Sequence, residues 1–259
     1  MKTLDIEIYT LSSGSRSNST YIHIGDTRIL IDAGMSMKAT EMELQKVGAS
    51  LKQIDGIFIT HEHSDHVGGL KVITKKHTIP IHVNELSAPY IDCDNRSFMV
   101  HKPVFTHTFG DVEVESFVTP HDSHGSVGYI IKTDNYTVGV ATDMGYVTSD
   151  VLNKLAGCDS VVLESNHDQI MLESGTYPVS LKKRILSDKG HLSNQACAEC
   201  AALIAGNGVK NIMLAHLSDE NNRPNIAMIT TATELARKNL SRTIIKVANR
   251  NSITKLCSQ

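Results

Sequence analysis

An α/β sandwich, two sheets with helices on the outside, is the fold predicted for this 259-residue chain, and three observations predict it. Apolar residues alternate through β-hairpins early in the chain and again in its middle. Each group of hairpins is followed by helix–strand units, and neither a linker nor a low-complexity segment separates the two runs.

Taken in order, residues 1–10 alternate apolar and polar side chains and read as the first strand. Asp5 and Glu7 within it, and the absence of an unbroken apolar run, argue against a signal peptide. Residues 20–24, a Gly25-Asp26 turn and residues 28–31 make a hairpin that runs into Asp32-Ala33-Gly34. Residues 36–47 space Met37, Met42, Leu44 and Val47 as a helix does, and Gly48 ends it. Residues 54–60 form a short apolar strand. A second β run covers 79–83 and 103–118, and 127–141 fold as a hairpin around Asp134-Asn135. Then come a helix near 149–156, strand 160–164, helix 193–206, strand 211–215, helix 224–238 and strand 243–247. The expectation is one domain spanning 1–259.

Composition excludes several classes. The hydrophobic fraction of 41% and charged fraction of 20% are those of a soluble globular protein, with no stretch near the roughly 20 apolar residues of a membrane helix. Cys93, Cys158, Cys197, Cys200 and Cys257 are odd in number and scattered, which argues against a disulfide framework and points to the reducing cytoplasm. Cys197 and Cys200 form a lone C-x-x-C in an Ala-rich helical run; without a second pair they read as two small residues on a helix face. A net charge of −3 gives no whole-molecule attraction to a polyphosphate. Lys182, Lys183, Arg184 and Lys189 cluster, either as a solvated face or as a phosphate contact.

The chemistry concentrates in Thr60-His61-Glu62-His63-Ser64-Asp65-His66, directly after the apolar strand. Strand-like alternation past the end of that strand points His61 and His63 the same way, while Asp65 and His66 fall on the following turn and face a second point. One loop thereby addresses two metal ions. Gly68-Gly69 keeps the turn tight before a helix starts near Leu70.

An H-x-H-x-D-H segment after a buried strand resembles the signature of the metallo-β-lactamase superfamily. The resemblance implies a four-layer αβ/βα sandwich with two metals at one edge of the sheets. It further implies that Asp32, after the early hairpin, orients the histidine loop. It makes His121, ahead of Gly128-Tyr129, the third histidine of the first metal, Asp143 a bridging carboxylate and His216 the last histidine. His124, three residues beyond His121, competes for that place. The implied sets are His61, His63, His121 and Asp143 for one ion, and Asp65, His66, His216 and Asp143 for the other. Two cations so held share a hydroxide, and Asp65 orients it as well as ligating. Imidazole and carboxylate together suit Zn²⁺, Mn²⁺ or iron.

β-Lactamases carry cysteine where this chain has Asp143, and flavodiiron proteins carry glutamate at the position of His63 together with a flavin domain, so neither antibiotic hydrolysis nor a flavin is expected. Three segments favour phosphodiesters. The hydroxyl- and amide-rich loop 12–19 offers Ser15 and Asn18 as phosphate donors, unless it is a plain polar turn. Lys189-Gly190-His191-Leu192-Ser193-Asn194 precedes a helix whose N-cap is Ser193 or Asn194; helix N-termini attract anions, and His191 reads as a phosphate ligand or leaving-group acid. Glu164-Ser165-Asn166-His167-Asp168 follows a strand, with His167 near the site or merely packed. With the segment 216–224, these resemble the YycJ/WalJ-like branch of stand-alone bacterial exonucleases, which implies 5′-to-3′ degradation of duplex DNA ends, with a part in DNA repair. Ser17 departs from the glycine often found before the loop asparagine there. The stretch 144–215 is too short for the clamp domain of β-CASP nucleases. A small-ester or thioester hydrolase of the glyoxalase II or lactonase type is the enzymatic rival, an RNA-directed nuclease the nearer one, and a metal-binding module without turnover the rival from another class.

Overall fold

The computed structural model describes residues 6–258, and the chain divides into two compact units. The first takes the chain up to Phe105, with Ser123–Gly125 and the segment from Asn249 onward; the second takes Thr106–Asp122 and Ser126–Ala248. No helix among the described residues is long and apolar enough to cross a membrane.

The first unit is built on a seven-stranded sheet. Its strands are β1 (Ile6–Ser12), β2 (Ser19–Ile24), β3 (Thr27–Ile31), β4 (Gly56–Phe58), β5 (Ile81–Asn84), β6 (Phe98–His101) and, from the chain end, β14 (Thr254–Ser258). The expected first strand is present from Ile6; residues 1–5 of that expectation lie outside the described residues. β14, β1, β2 and β3 pair antiparallel, and β3, β4, β5 and β6 pair parallel. Helices α1 (Met37–Lys46), α2 (Ser64–Val67) and α3 (Leu70–Lys76) complete the unit. Ser36 caps α1 by accepting the Ala39 N–H, and Gly48 (φ +74°) closes it. Leu44, Leu70 and Ile73 pack with Leu30, Ile57 and Ile59 in one core. Burying side chains of this size stabilises by about 1.5–3 kcal/mol each.

The second unit repeats the plan. Its sheet runs β7 (Thr106–Phe109), β8 (Val112–Val118), β9 (Val127–Lys132), β10 (Thr137–Ala141), β11 (Ser160–Glu164), β12 (Asn211–Ala215), β13 (Ile244–Val247). Pairing is antiparallel from β7 to β10 and parallel from β10 to β13. Helices α4 (Ser149–Ala156), α5 (Gln169–Ser174), α6 (Val179–Ile185), α7 (Asn194–Gly206) and α8 (Pro224–Arg237) complete it. Cys197 and Cys200 are buried in its core beside Ile204 and Leu214, and burial pushes the Cys200 thiol up to about 12, as inert packing residues require.

Several expectations shift. The 103–118 run divides at Gly110 (φ +54°) into β7 and β8. The strand expected over 54–60 is laddered only at Gly56–Phe58, because beyond it the Thr60 N–H turns to the Asp32 carboxylate at 2.8 Å. Helices α5 and α6, at one to two turns, carry too little apolar periodicity to read from sequence. Gly68 and Gly69 are not needed for unusual backbone angles, both being right-handed. A Cβ on Gly69 would instead lie 2.0 Å from the Met35 carbonyl oxygen, and one on Gly34 1.7 Å from the Asp65 oxygen. The loops around residues 18, 33 and 65 are zipped together by Asn18 N–H to Asp65 O at 2.7 Å and Ala33 N–H to His66 O at 2.8 Å.

Gly34→Ala should therefore destabilise the chain by about 1–3 kcal/mol through overpacking, read as a lower midpoint in thermal unfolding. Wild-type stability in that variant would show that the loops can part at no cost.

Candidate metal centre

Each unit gathers a set of ligand-type side chains at the carboxyl ends of its parallel strands, beside the place where antiparallel pairing gives way to parallel.

In the first unit, Asp32 follows β3 and the 60–66 loop follows β4. Asp32 is buried and takes the Thr60 N–H at 2.8 Å, the Thr60 hydroxyl at 2.9 Å and His66 Nδ1 at 2.7 Å. Burial raises its carboxyl pKa, and the His66 and Thr60 donors offset part of that rise. With Nδ1 occupied by a carboxylate, the His66 ring presents Nε2 as its electron pair, the arrangement a metal ligand needs. His66 Nε2 lies 3.2 Å from both Asp65 Oδ2 and Asn18 Nδ2. His61 Nε2 and His63 Nδ1 stand 3.0 Å apart, while Asp65 and His66 lie on the one-turn helix α2, with the His66 ring 4.1 Å from that of His61.

In the second unit the centre of gravity is Glu164, the last residue of β11 and fully buried. Its Oε1 receives His191 Nδ1 at 2.8 Å and His216 Nδ1 at 3.0 Å; its Oε2 receives the N–H groups of Met144 at 2.8 Å and Leu192 at 3.2 Å. Burial alone would raise its pKa, but His191 and His216 outweigh that and hold the carboxyl well below the usual range. Asp143 Oδ1 lies 3.4 Å from His216 Nε2, 3.6 Å from His191 Nδ1 and 3.9 Å from His121 Nε2. His121 Nδ1 donates to the Gly190 carbonyl at 3.1 Å, and burial lowers its pKa, keeping it in the neutral, ligating form. Asp143, Glu164, His191 and His216 offer ligand atoms all within 4.8 Å of one another.

The residues fit divalent metal. Each unit combines an imidazole whose second nitrogen is fixed by a carboxylate, His66 on Asp32 in one and His216 on Glu164 in the other, with further imidazoles and a carboxylate close by. Asp32, Asp143 and His216 share a further property: φ values of 64°, 59° and 56° put them in the left-handed region, each just past the end of a strand. Such backbone costs on the order of 1 kcal/mol or more per residue and persists where the surroundings over-determine it, typically at functional sites.

The remaining expected residues fall as follows. His124 belongs with the first unit, where its Nδ1 meets Glu62 Oε1 at 2.8 Å, so it is His121 that lies with Asp143. Asn18 is buried, and its amide nitrogen donates to Asp65 Oδ2 and the Gly14 carbonyl, each at 3.0 Å; it positions Asp65 rather than facing solvent. Ser15 is exposed on the same loop. Ser193 is the N-cap of α7, accepting the Ala196 N–H, whereas Asn194 is buried and its side chain is tied to Ser165 and Asn222. His167 is buried with no hydrogen-bond partner on either ring nitrogen, and burial lowers its pKa to about 4. In the basic cluster, Arg184 pairs with Asp122 and Lys182 caps the Glu173 and Gly175 carbonyls; Lys183 and Lys189 are exposed. The role of Glu164 escaped sequence reasoning. Its signal was there: an acid closing an apolar strand, much as Asp32 follows β3.

Residues 27–217 match the family described as a β-lactamase superfamily domain. The chain is 36% identical to exodeoxyribonuclease YycJ of Bacillus anthracis over 91% of each chain. It is also 36% identical to exodeoxyribonuclease WalJ of Streptococcus pneumoniae over 93% of this chain and 92% of that one. Its fold is shared with the metallo-β-lactamase fold protein YhfI of Bacillus subtilis, at a TM-score of 0.72 and 13% identity over 98% of this chain and all of the other.

Two substitutions test the ligand geometry. His121→Ala should lose bound metal that His124→Ala keeps, as counted by elemental analysis of purified protein; full metal in His121→Ala would reverse the choice. Glu164→Gln, which removes a charged acceptor from two imidazoles, should weaken metal affinity about 10–100-fold in chelator competition.

Proposed function

Since the chain belongs to the metallo-β-lactamase superfamily, in its YycJ/WalJ-like branch, and is a metal-dependent hydrolase, we propose that it is an exodeoxyribonuclease that degrades duplex DNA from its ends, 5′ to 3′, in the cytoplasm and in DNA repair. The observation that carries this reading is the likeness to YycJ and WalJ over nine-tenths of both chains. We further propose that residues 1–259 act as one domain, which is supported by a family match that runs through both units.

Two divalent ions, Mn²⁺, Zn²⁺ or iron, are proposed, held by His61, His63, His121 and Asp143 and by Asp65, His66, His216 and Asp143. When bound, they supply Lewis acidity, making water more acidic and offsetting the charge that accumulates on an attacked phosphoryl group. The chain's own residues do the rest. Asp32 and Glu164 lock the tautomers of His66 and His216, and the Gly190 carbonyl locks that of His121. Asn18 holds the Asp65 carboxylate in place while Asp65 orients water. His191, anchored through Nδ1 on Glu164, is placed to hand a proton from Nε2 to the leaving oxygen. Ser15, Ser193 and exposed Lys183 and Lys189 supply phosphate contacts, with the N-terminus of α7 adding its dipole.

Digestion with Mn²⁺ of 5′-labelled and 3′-labelled duplex DNA, single strands and RNA should yield progressive shortening of duplex DNA from one end, and His191→Ala should lower turnover about 10²-fold with metal retained. Turnover of acylated glutathione and none of DNA, unaffected by His191→Ala, would replace this reading with a thioester hydrolase.

A further inference from the structure

We propose that Tyr90, stacked on His124, is the platform on which a nucleobase at the DNA end rests while the neighbouring phosphodiester is cut; the proposal rests on the exodeoxyribonuclease reading above. The two rings lie 3.5 Å apart at 13°, with Tyr90 56% exposed and the His124 side chain 51% exposed. An aromatic pair this exposed buries little surface for stability, yet it stands on a polar foundation of half-buried Glu62 and fully buried Ser87 and Asn84. Glu62, between His61 and His63, takes the His124 N–H and Nδ1 on Oε1, each at 2.8 Å, and the Ser87 hydroxyl on Oε2 at 2.8 Å. Buried Asn84 accepts the N–H groups of Leu86 and Ser87 and donates to the Gly125 carbonyl at 2.6 Å. A Cβ at Gly125 would lie 2.6 Å from Asn84 Oδ1, so the 123–125 loop is pressed onto the turn that carries Tyr90.

The foundation ties the pair to the ligand loop through Glu62, and the chain ties it to His121 three residues away. Both tethers lead to residues assigned to metal. Both oxygens of Glu62 are engaged, which blunts its repulsion of a passing phosphate. What the stack offers outward is exposed ring surface, and the π-face of a nucleobase is the part of a DNA end that matches it. Every base has such a face, so the contact is indifferent to sequence, as an exonuclease requires. The rings thus set the register of the strand, and the ligands do the chemistry.

The chain contains no tryptophan, so Tyr90→Trp places a single indole in it. Its emission should be quenched when a DNA end binds in Ca²⁺, and quenched less by a strand whose terminal residues are abasic. Tyr90→Ala should raise KM for DNA about 5–100-fold with kcat nearly kept, and its effect should vanish on the abasic-ended strand, a non-additivity that a general structural defect would not produce. DNA degraded by wild type and Tyr90→Ala with equal kcat/KM overturns the platform alone. A wild-type chain inert to DNA overturns the nuclease reading and the platform with it.

Discussion

Two buried carboxylates impose the order on which the rest of this molecule depends. Removing an ionised acid from water costs several kcal/mol unless its oxygens are filled by donors. Asp32 meets that demand with Thr60 and His66, Glu164 with His191, His216 and two backbone N–H groups. Satisfying the acid and fixing the imidazole are therefore one event. His66 and His216, so bound through Nδ1, turn Nε2 outward with its electron pair, the arrangement a metal ligand needs.

The two units arrive at this arrangement by the same route. Each sheet carries an antiparallel meander, switches to parallel pairing after the last strand of that meander, and places an aspartate in left-handed backbone just past that strand: Asp32 after β3, Asp143 after β10. The next strand in each delivers the hub of the site, the 60–66 loop after β4 and Glu164 at the end of β11. At a switch point the crossover connections leave in different directions, and the ends of the strands are left uncovered. Side chains there can converge without competing with the ladder for space.

Charge is used locally. A chain of net charge −3 cannot gather DNA by its overall field, and its basic cluster is partly spent on Asp122 and on capping α5. In the function proposed above, attraction would fall instead to divalent ions, to exposed Lys183 and Lys189 and to the start of α7, while the exposed ring pair braced by Glu62 would supply contact that does not depend on charge.

By itself the sequence determined what periodicity and spacing encode: most strands and longer helices, the α/β class, and the H-x-H-x-D-H loop that concentrates ligand-type side chains after one strand. These are local properties, written within a turn or a strand of the residues concerned. Only the tertiary structure decided that His121 rather than His124 accompanies Asp143, that Asn18 and Asn194 are held inward, that Gly34 and Gly69 exist for close approach, and that Glu164 anchors two histidines lying 27 and 52 residues away in the chain. Each of those depends on which strand ends become neighbours, and strand pairing across such separations leaves no mark in the residues on either side of it.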